Sequence, residues 1–226
     1  MLPIRATNPP IVCYVTDRKA LETSSSSDRL LATIHAALAA GVDWIQIREK
    51  DLAARDLLVL ATAAVRAAEE CSKGQTVPPR MIVNDRLDVA LAAGAAGVHL
   101  GSDSVSVVDV VRWCRSGNAP ADFLVGVSCH SLQEARQAEA AGASYVFFGP
   151  VFDTPSKRSF GRPQGIERLV EVSEAVRIPV VAIGGVNDEN AAECLHAGAA
   201  GIAAIRLFQQ ERAATPLAER ISKLRG

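Results

Sequence analysis

Four segments of the chain share one pattern, in which an alanine-rich stretch ends in Ala-Gly and an apolar run follows at once. The glycines are Gly41, Gly94, Gly142 and Gly198, and they lie 53, 48 and 56 residues apart. Glycine is typical of a helix end because it adopts the left-handed conformation without a Cβ penalty. One βα unit takes roughly 25 to 30 residues, so each interval holds two units and the chain holds eight.

Short aliphatic or β-branched runs fall where this count requires strands. They lie near residues 11–15, 43–48, 80–84, 97–100, 123–127, 144–148, 179–183 and 201–205. Amphipathic, alanine-rich stretches lie between them, including 28–40, 53–70 and 131–141. This alternation predicts a parallel sheet, and eight units allow closure into one (βα)8 TIM barrel domain spanning residues 1–226. An open doubly wound sheet is the alternative, although no Gly-x-Gly-x-x-Gly follows the first strand.

Charge and cysteine content narrow the class of partner. The 226 residues include 24 Lys+Arg and 25 Asp+Glu, a net charge of −1, which argues against nucleic acid or an anionic membrane surface as a partner. Five cysteines without a Cys-x-x-Cys pair argue against a disulfide scaffold or a thiolate zinc site and predict a reducing, cytoplasmic location. Neither a signal peptide nor a membrane span is expected. Small phosphorylated molecules are the expected partners, and a homo-oligomer is left open.

The carboxyl ends of the strands are where such a barrel carries its active site. The second strand ends in Gln46, Arg48 and Lys50, which alternate and therefore project to one side. Two cations and an amide predict a site for a diphosphate and a hydrogen-bonding ring, the alternative being a solvated charged turn.

Two aspartates follow the next two strands. Asp85 comes after Asn84, and Asp103 follows Gly101-Ser102. Because Mg²⁺ takes one or two carboxylates together with substrate phosphate oxygens and water, these two residues are candidate ligands. Equally, each could cap the helix that follows it.

The fifth strand ends in Ser128-Cys129-His130-Ser131. Ser131 and Glu134 predict a capping box. His130 is either a general acid or base near neutral pH or an ordinary polar residue at a helix start.

The last three strands lead into a second candidate anion site. Thr154-Pro-Ser156-Lys157 supplies hydroxyls and a cation within a long loop, which is a candidate lid. Gly184-Gly185 and Ile205-Arg206 follow strands seven and eight, whose loops commonly bind phosphate through backbone N–H groups.

Several of these segments together resemble the thiamine phosphate synthase family. They are Gln46-Ile-Arg-Glu-Lys50, Val83-Asn-Asp85, Gly97-Val-His-Leu-Gly101, Gly126-Val-Ser128, Gly149-Pro-Val-Phe, Thr154-Pro-Ser-Lys157 and Ala182-Ile-Gly-Gly185. They occur in the family's order over nearly the whole chain. The resemblance implies an Mg²⁺-dependent transferase of thiamine biosynthesis that joins hydroxymethylpyrimidine diphosphate to hydroxyethylthiazole phosphate and releases pyrophosphate.

The resemblance also implies roles for individual residues. Those implied to hold the pyrimidine diphosphate are Gln46, Arg48, Lys50, Asn84 and Lys157. Those implied to hold the thiazole phosphate are Thr154, Ser156, Gly185 and the backbone at Ile205-Arg206. Asp85 would bind Mg²⁺, and Ser128 would sit near the departing pyrophosphate.

Two positions depart from the family pattern. The usual second metal aspartate is Ser104 here, with Asp103 one residue earlier, and the serine usual after the last strand is Arg206. The segment from Ser128 to Glu134 also resembles thiazole tautomerases, whose histidine moves a proton. A tautomerase using His130, or a non-catalytic phosphate-binding relative, therefore stands as the alternative function.

Overall fold

The computed structural model describes residues 9–21, 27–72, 77–154, 163–209 and 215–225. Its strands form a closed parallel barrel in which each pairs with the next and the eighth pairs with the first. The strands are β1 (Ile11–Val15), β2 (Trp44–Ile47), β3 (Arg80–Asn84), β4 (Gly97–Leu100), β5 (Leu124–Cys129), β6 (Tyr145–Phe148), β7 (Val180–Ile183) and β8 (Gly201–Ala204). The predicted (βα)8 barrel is confirmed, and the open-sheet alternative is wrong. That residues 1–226 form a single domain stays a prediction.

Helices surround the barrel. They are α1 (Ser27–Ala39), α2 (Ala54–Cys71), α3 (Leu87–Ala92), α4 (Val107–Trp113), α5 (Leu132–Ala140), α6 (Gly165–Ala175), α7 (Ala191–His196), α8 (Arg206–Gln209) and α9 (Leu217–Arg225). Within the described ranges, no helix is long and apolar enough to cross a lipid bilayer.

The four glycines of the repeat lie at the C-terminal ends of helices, just before the strands that follow. Gly41, Gly94, Gly142 and Gly198 have φ angles of 87°, 69°, 86° and 89°. Positive φ is the left-handed conformation that ends a helix and that side chains with a Cβ disfavour. The Ala-Gly repeat therefore marks the C-terminal end of the helix in four of the eight βα units.

The barrel interior has its own small core, separate from the larger apolar layer between strands and helices. Tyr145 and Phe147 of β6 fill much of this interior with Val15, Ile82 and Val181. Gly126 makes room for them, since a Cβ on it would lie 2.1 Å from Cζ of Tyr145. The interior is therefore packed, and the open space lies at its carboxyl end.

Candidate active site

A cavity of about 750 Å³ opens at the carboxyl ends of the strands. Residues after every strand line it, from Asp17 after β1 to Arg206 after β8. The predicted site residues that line it are Gln46, Arg48, Lys50, Asn84, Asp85, Asp103, Ser128, His130, Thr154, Gly185, Ile205 and Arg206. Ser156 and Lys157, and most of the candidate lid, lie outside the described residues.

The turn after β2 carries two cations that line the cavity and, between them, a buried carboxylate at the cavity wall. Glu49 lies between Arg48 and Lys50, and its side chain is 2% exposed. Its oxygens accept hydrogen bonds from the Thr16 hydroxyl (2.7 Å), the Arg18 backbone N–H (3.1 Å) and the Arg18 guanidinium (3.2 Å). The Thr16 hydroxyl in turn accepts from the Arg48 N–H (2.9 Å). Glu49 thereby joins the ends of β1 and β2 and fixes the turn that carries both cations.

Below these cations, two amide side chains form part of the cavity wall. The Gln46 amide is buried and donates to the Asn84 side-chain oxygen (3.2 Å). This bond uses one of the two N–H groups of Gln46 and leaves its oxygen as an acceptor. A heteroaromatic ring with both donors and acceptors fits such a surface.

Asp85 projects from the end of β3 with φ of +67°, a conformation uncommon for residues other than glycine. Its N–H donates to the His99 carbonyl, and its carboxylate accepts from the Ser104 hydroxyl. Ser104 also accepts from the Gly101 N–H at 2.8 Å. The N-cap residues of α3 and α4 are Arg86 and Ser106, so the capping interpretation of Asp85 and Asp103 is wrong.

The Asp85 carboxylate suits a cation that also takes ligands from a substrate. Among the described residues, no group of three or more His, Cys, Asp or Glu side chains could hold a metal alone. Mg²⁺ is usually held by one or two carboxylates plus substrate phosphates and water. Asp85, Asp103 and the Ser104 hydroxyl fit that partial donor set, and Arg48 and Lys50 line the same cavity.

Ser128 lies at the cavity side of β5 and contacts a histidine whose role the sequence did not reveal. Its hydroxyl lies 2.9 Å from Nε2 of His99, whose Nδ1 lies 3.1 Å from the Tyr145 hydroxyl. Complete burial, reinforced by the charge of Arg48, lowers the pKa of His99 to about 3. His99 is therefore neutral and too weak a base to convert Ser128 into a nucleophile.

His130 also faces the cavity, held by the loop that follows β6. Its Nδ1 donates to the Gly149 carbonyl, so in the neutral ring Nε2 is the acceptor. Ser131 accepts from the Glu134 N–H as predicted, but the Glu134 carboxylate takes the N–H of His130 rather than that of Ser131. The expected capping box is therefore only half correct.

The opposite side of the cavity is built from main chain. Gly184 and Gly185 have φ angles of 93° and 70°, and a Cβ on Gly185 would lie 2.7 Å from the Asp153 carbonyl oxygen. The Asn190 amide donates to the Gly185 carbonyl at 3.0 Å. After β8 and the single residue Ile205, the helix α8 begins at Arg206, and the first N–H groups of a helix have no intrahelical partner. This side offers backbone donors in a fixed loop, as an anion site requires.

Sequence reasoning also missed an ion pair on this side. Arg220 of α9 donates to Asp188 from Nε to Oδ1 (2.9 Å) and Oδ2 (3.1 Å) and from Nη2 to Oδ2 (2.7 Å), and both residues line the cavity. They lie 32 residues apart, so no local pattern could have paired them. For His99 a signal existed, because it is a polar residue inside an apolar strand.

The family model described as thiamine monophosphate synthase matches residues 12–208. A Geobacter sulfurreducens protein provisionally named a thiamine-phosphate synthase is 46% identical over 78% of each chain. The thiamine-phosphate synthase of Roseiflexus castenholzii is 43% identical over 86% of this chain and 79% of the relative. Among solved structures, thiamine phosphate pyrophosphorylase from Pyrococcus furiosus superposes with a TM-score of 0.79 and 30% identity, covering 97% of this chain and 98% of that one.

The family model and the solved structure each cover most of the chain, and the solved structure shares its fold. The chain belongs to the thiamine monophosphate synthase family.

Proposed function

We propose that the chain couples hydroxymethylpyrimidine diphosphate to hydroxyethylthiazole phosphate, forming thiamine phosphate and pyrophosphate. One observation carries the proposal. A single cavity has cationic side chains after β2 on one side and glycine-rich backbone after β7 on the other. Two phosphorylated substrates could thus enter one space with their anionic groups apart and their rings together.

The pyrimidine diphosphate would occupy the side formed by β2 to β5. Arg48 and Lys50 neutralise its charge, and Glu49 holds the turn that carries them. The Gln46 oxygen and the Asn84 amide face the aminopyrimidine ring. Ser128 donates to the diphosphate, and Lys157 is expected to join these contacts from the loop.

The thiazole phosphate would occupy the opposite side. Backbone N–H groups near Gly185 and Ile205-Arg206 would bind its phosphate, together with the hydroxyls of Thr154 and Ser156. Arg206 is exposed at this edge of the cavity, so its guanidinium can add a charge-assisted contact. Arg220 remains engaged with Asp188 and steadies the loop after β7.

The reaction needs charge stabilisation and alignment. As the C–O bond to diphosphate breaks, its electron pair leaves with the diphosphate, and the electron-rich aminopyrimidine stabilises the resulting cation. The thiazole nitrogen then supplies the electron pair of the new C–N bond. Fixed cations and hydrogen-bond donors around a leaving group, and a nucleophile held in line, are the contributions that accelerate such a step.

Mg²⁺ is the proposed cofactor. Asp85 would hold it with Asp103 and the Ser104 hydroxyl, and the substrate diphosphate would complete its shell. When bound, the ion neutralises negative charge on the diphosphate. Ser104 contributes a neutral oxygen, so the two aspartates and the substrate diphosphate would carry the negative charge that faces the ion.

The five cysteines are all free thiols, which supports a reducing, cytoplasmic location. Small phosphorylated substrates are the proposed partners.

Turnover tests this proposal directly. The purified chain is mixed with both substrates and Mg²⁺, and thiamine phosphate and pyrophosphate are quantified, with Lys50→Ala as the impaired variant. Equal amounts of the two products are expected, and much less from the variant. No product above background from competent substrates would refute the synthase, and conversion of thiazole carboxylate phosphate tautomers that is lost in His130→Ala would establish a tautomerase instead.

A further inference from the structure

Three polar side chains form a line from the closed interior of the barrel to the cavity. Tyr145 lies deepest, His99 lies between, and Ser128 faces the cavity. The Tyr145 hydroxyl lies 3.1 Å from Nδ1 of His99, and Nε2 of His99 lies 2.9 Å from Oγ of Ser128. Tyr145 and His99 are each 1% exposed, and Ser128 is half-buried. His99 and Ser128 both line the cavity.

The inner end of this line fixes the direction of its hydrogen bonds. Trp44 and Phe147 enclose the Tyr145 ring with centroids 4.7 Å and 5.4 Å away. Among the described residues, the hydrogen-bond partner of the Tyr145 hydroxyl is Nδ1 of His99. A buried hydroxyl whose proton has no acceptor is unfavourable, because the group has lost its hydrogen bond to water without replacement. The Tyr145 hydroxyl therefore donates to Nδ1 of His99.

Because the Tyr145 hydroxyl donates to His99, the positions of the His99 ring proton and the Ser128 hydroxyl proton are also determined. When Nδ1 of a neutral imidazole accepts a hydrogen bond, the single ring proton is on Nε2. An Nδ1 that accepts a hydrogen bond carries no proton, so the ring has one proton and not two. Nε2–H donates to Oγ of Ser128, and the hydroxyl proton of Ser128 is left to point into the cavity.

We propose that Tyr145 and His99 are positioning residues that orient the Ser128 hydroxyl as a hydrogen-bond donor to the diphosphate. This inference rests on the proposed function, because it assumes that a diphosphate occupies the side of the cavity formed by β2 to β5. The reverse orientation would turn an oxygen lone pair of Ser128 toward an anion, which is repulsive. Tyr145 acts from inside the barrel without touching the substrate.

The tautomer of His99 can be measured without turnover. Nitrogen-15 NMR of the histidine-labelled protein at neutral pH, with His99→Gln identifying the signals of that ring, is expected to show a protonated Nε2 and an unprotonated Nδ1. A proton on Nδ1, or on both nitrogens, would overturn the inference. Because this readout needs no substrate, it remains decisive even if the protein fails to make thiamine phosphate.

Binding of inorganic pyrophosphate in the presence of Mg²⁺ supplies the second test. Losing the orientation of one hydroxyl is expected to weaken pyrophosphate binding about 3- to 10-fold in Tyr145→Phe, with thiazole phosphate binding unchanged. The matched control is Tyr14→Phe, because the Tyr14 hydroxyl is buried but pairs with Gln209 away from His99. Tyr14→Phe should bind pyrophosphate like the wild type.

A double variant separates orientation from general packing. Once Ser128→Ala has removed the hydroxyl, adding Tyr145→Phe should cost no further pyrophosphate affinity. Losses that simply add would overturn the inference, as would unchanged binding in Tyr145→Phe. Thermal unfolding of each variant verifies that it is folded.

Discussion

The buried Glu49 carboxylate offers a sharp test of how the cationic turn is held. Both of its oxygens accept hydrogen bonds: Oε1 accepts from Thr16 and Arg18, and Oε2 accepts from the backbone and guanidinium of Arg18. In Glu49→Gln, either orientation of the amide places its NH₂ group against a donor. One charge-assisted hydrogen bond is lost, at about 1.5–3 kcal/mol. For a chain of this size, that loss lowers Tm by roughly 3–12 °C.

The matched control is Asp51→Asn, because Asp51 binds the same guanidinium through two bonds of 2.6 Å and 2.8 Å but is exposed. Both variants remove one negative charge beside Arg18, so they differ mainly in burial. Urea unfolding should give a clearly larger loss of stability for Glu49→Gln, together with weaker pyrophosphate binding. Equal losses in the two variants would refute the view that Glu49 clamps this turn.

Three further predictions concern the same cavity. Lys50→Ala should weaken binding of the pyrimidine diphosphate by at least about tenfold while barely changing that of thiazole phosphate, measured by calorimetry; equal losses would contradict the division of the cavity. Ser104→Asp should tighten Mg²⁺ binding to the pyrophosphate-bound protein by about tenfold, since it adds a further carboxylate where a hydroxyl now contacts Asp85, and unchanged affinity would remove Ser104 from the metal site. The pKa of His99 is about 3 in the folded protein and about 6.5 in the unfolded chain. Between these pH values the unfolded chain binds one more proton than the folded protein does. The free energy of unfolding should therefore fall as the pH falls from about 6.5 to about 3. Unfolding free energies of His99→Gln should depend less steeply on pH there, and identical slopes would contradict a buried neutral ring.

The barrel was predictable because its signals are local and repeated. Each Ala-Gly helix end needs a left-handed residue, and each strand is a mostly apolar segment of four to six residues. Strand bounds were predicted to within two residues, including β1, β3 and β4 without error. Placing the site at one edge followed from topology, since the ends of parallel strands share that edge.

The contacts within the site were less predictable, because they join residues far apart in sequence. Ser104 and Asp85 meet across 19 residues, and His99 and Tyr145 across 46. The alternating side-chain directions of the extended chain after β2 identified Arg48 and Lys50 as site residues. They gave no partner for Glu49, whose side chain turns toward the end of β1. Tertiary packing decides such pairs, and a single sequence carries no record of it.

A crystal structure of the protein with thiamine phosphate, pyrophosphate and Mg²⁺ tests the two-sided cavity most directly. The account predicts pyrophosphate within hydrogen-bond distance of Arg48, Lys50 and Ser128, and the phosphate of thiamine phosphate against the backbone at Gly185 and Ile205-Arg206. Both anions on the same side of the cavity, or pyrophosphate bound away from Arg48 and Lys50, would contradict it.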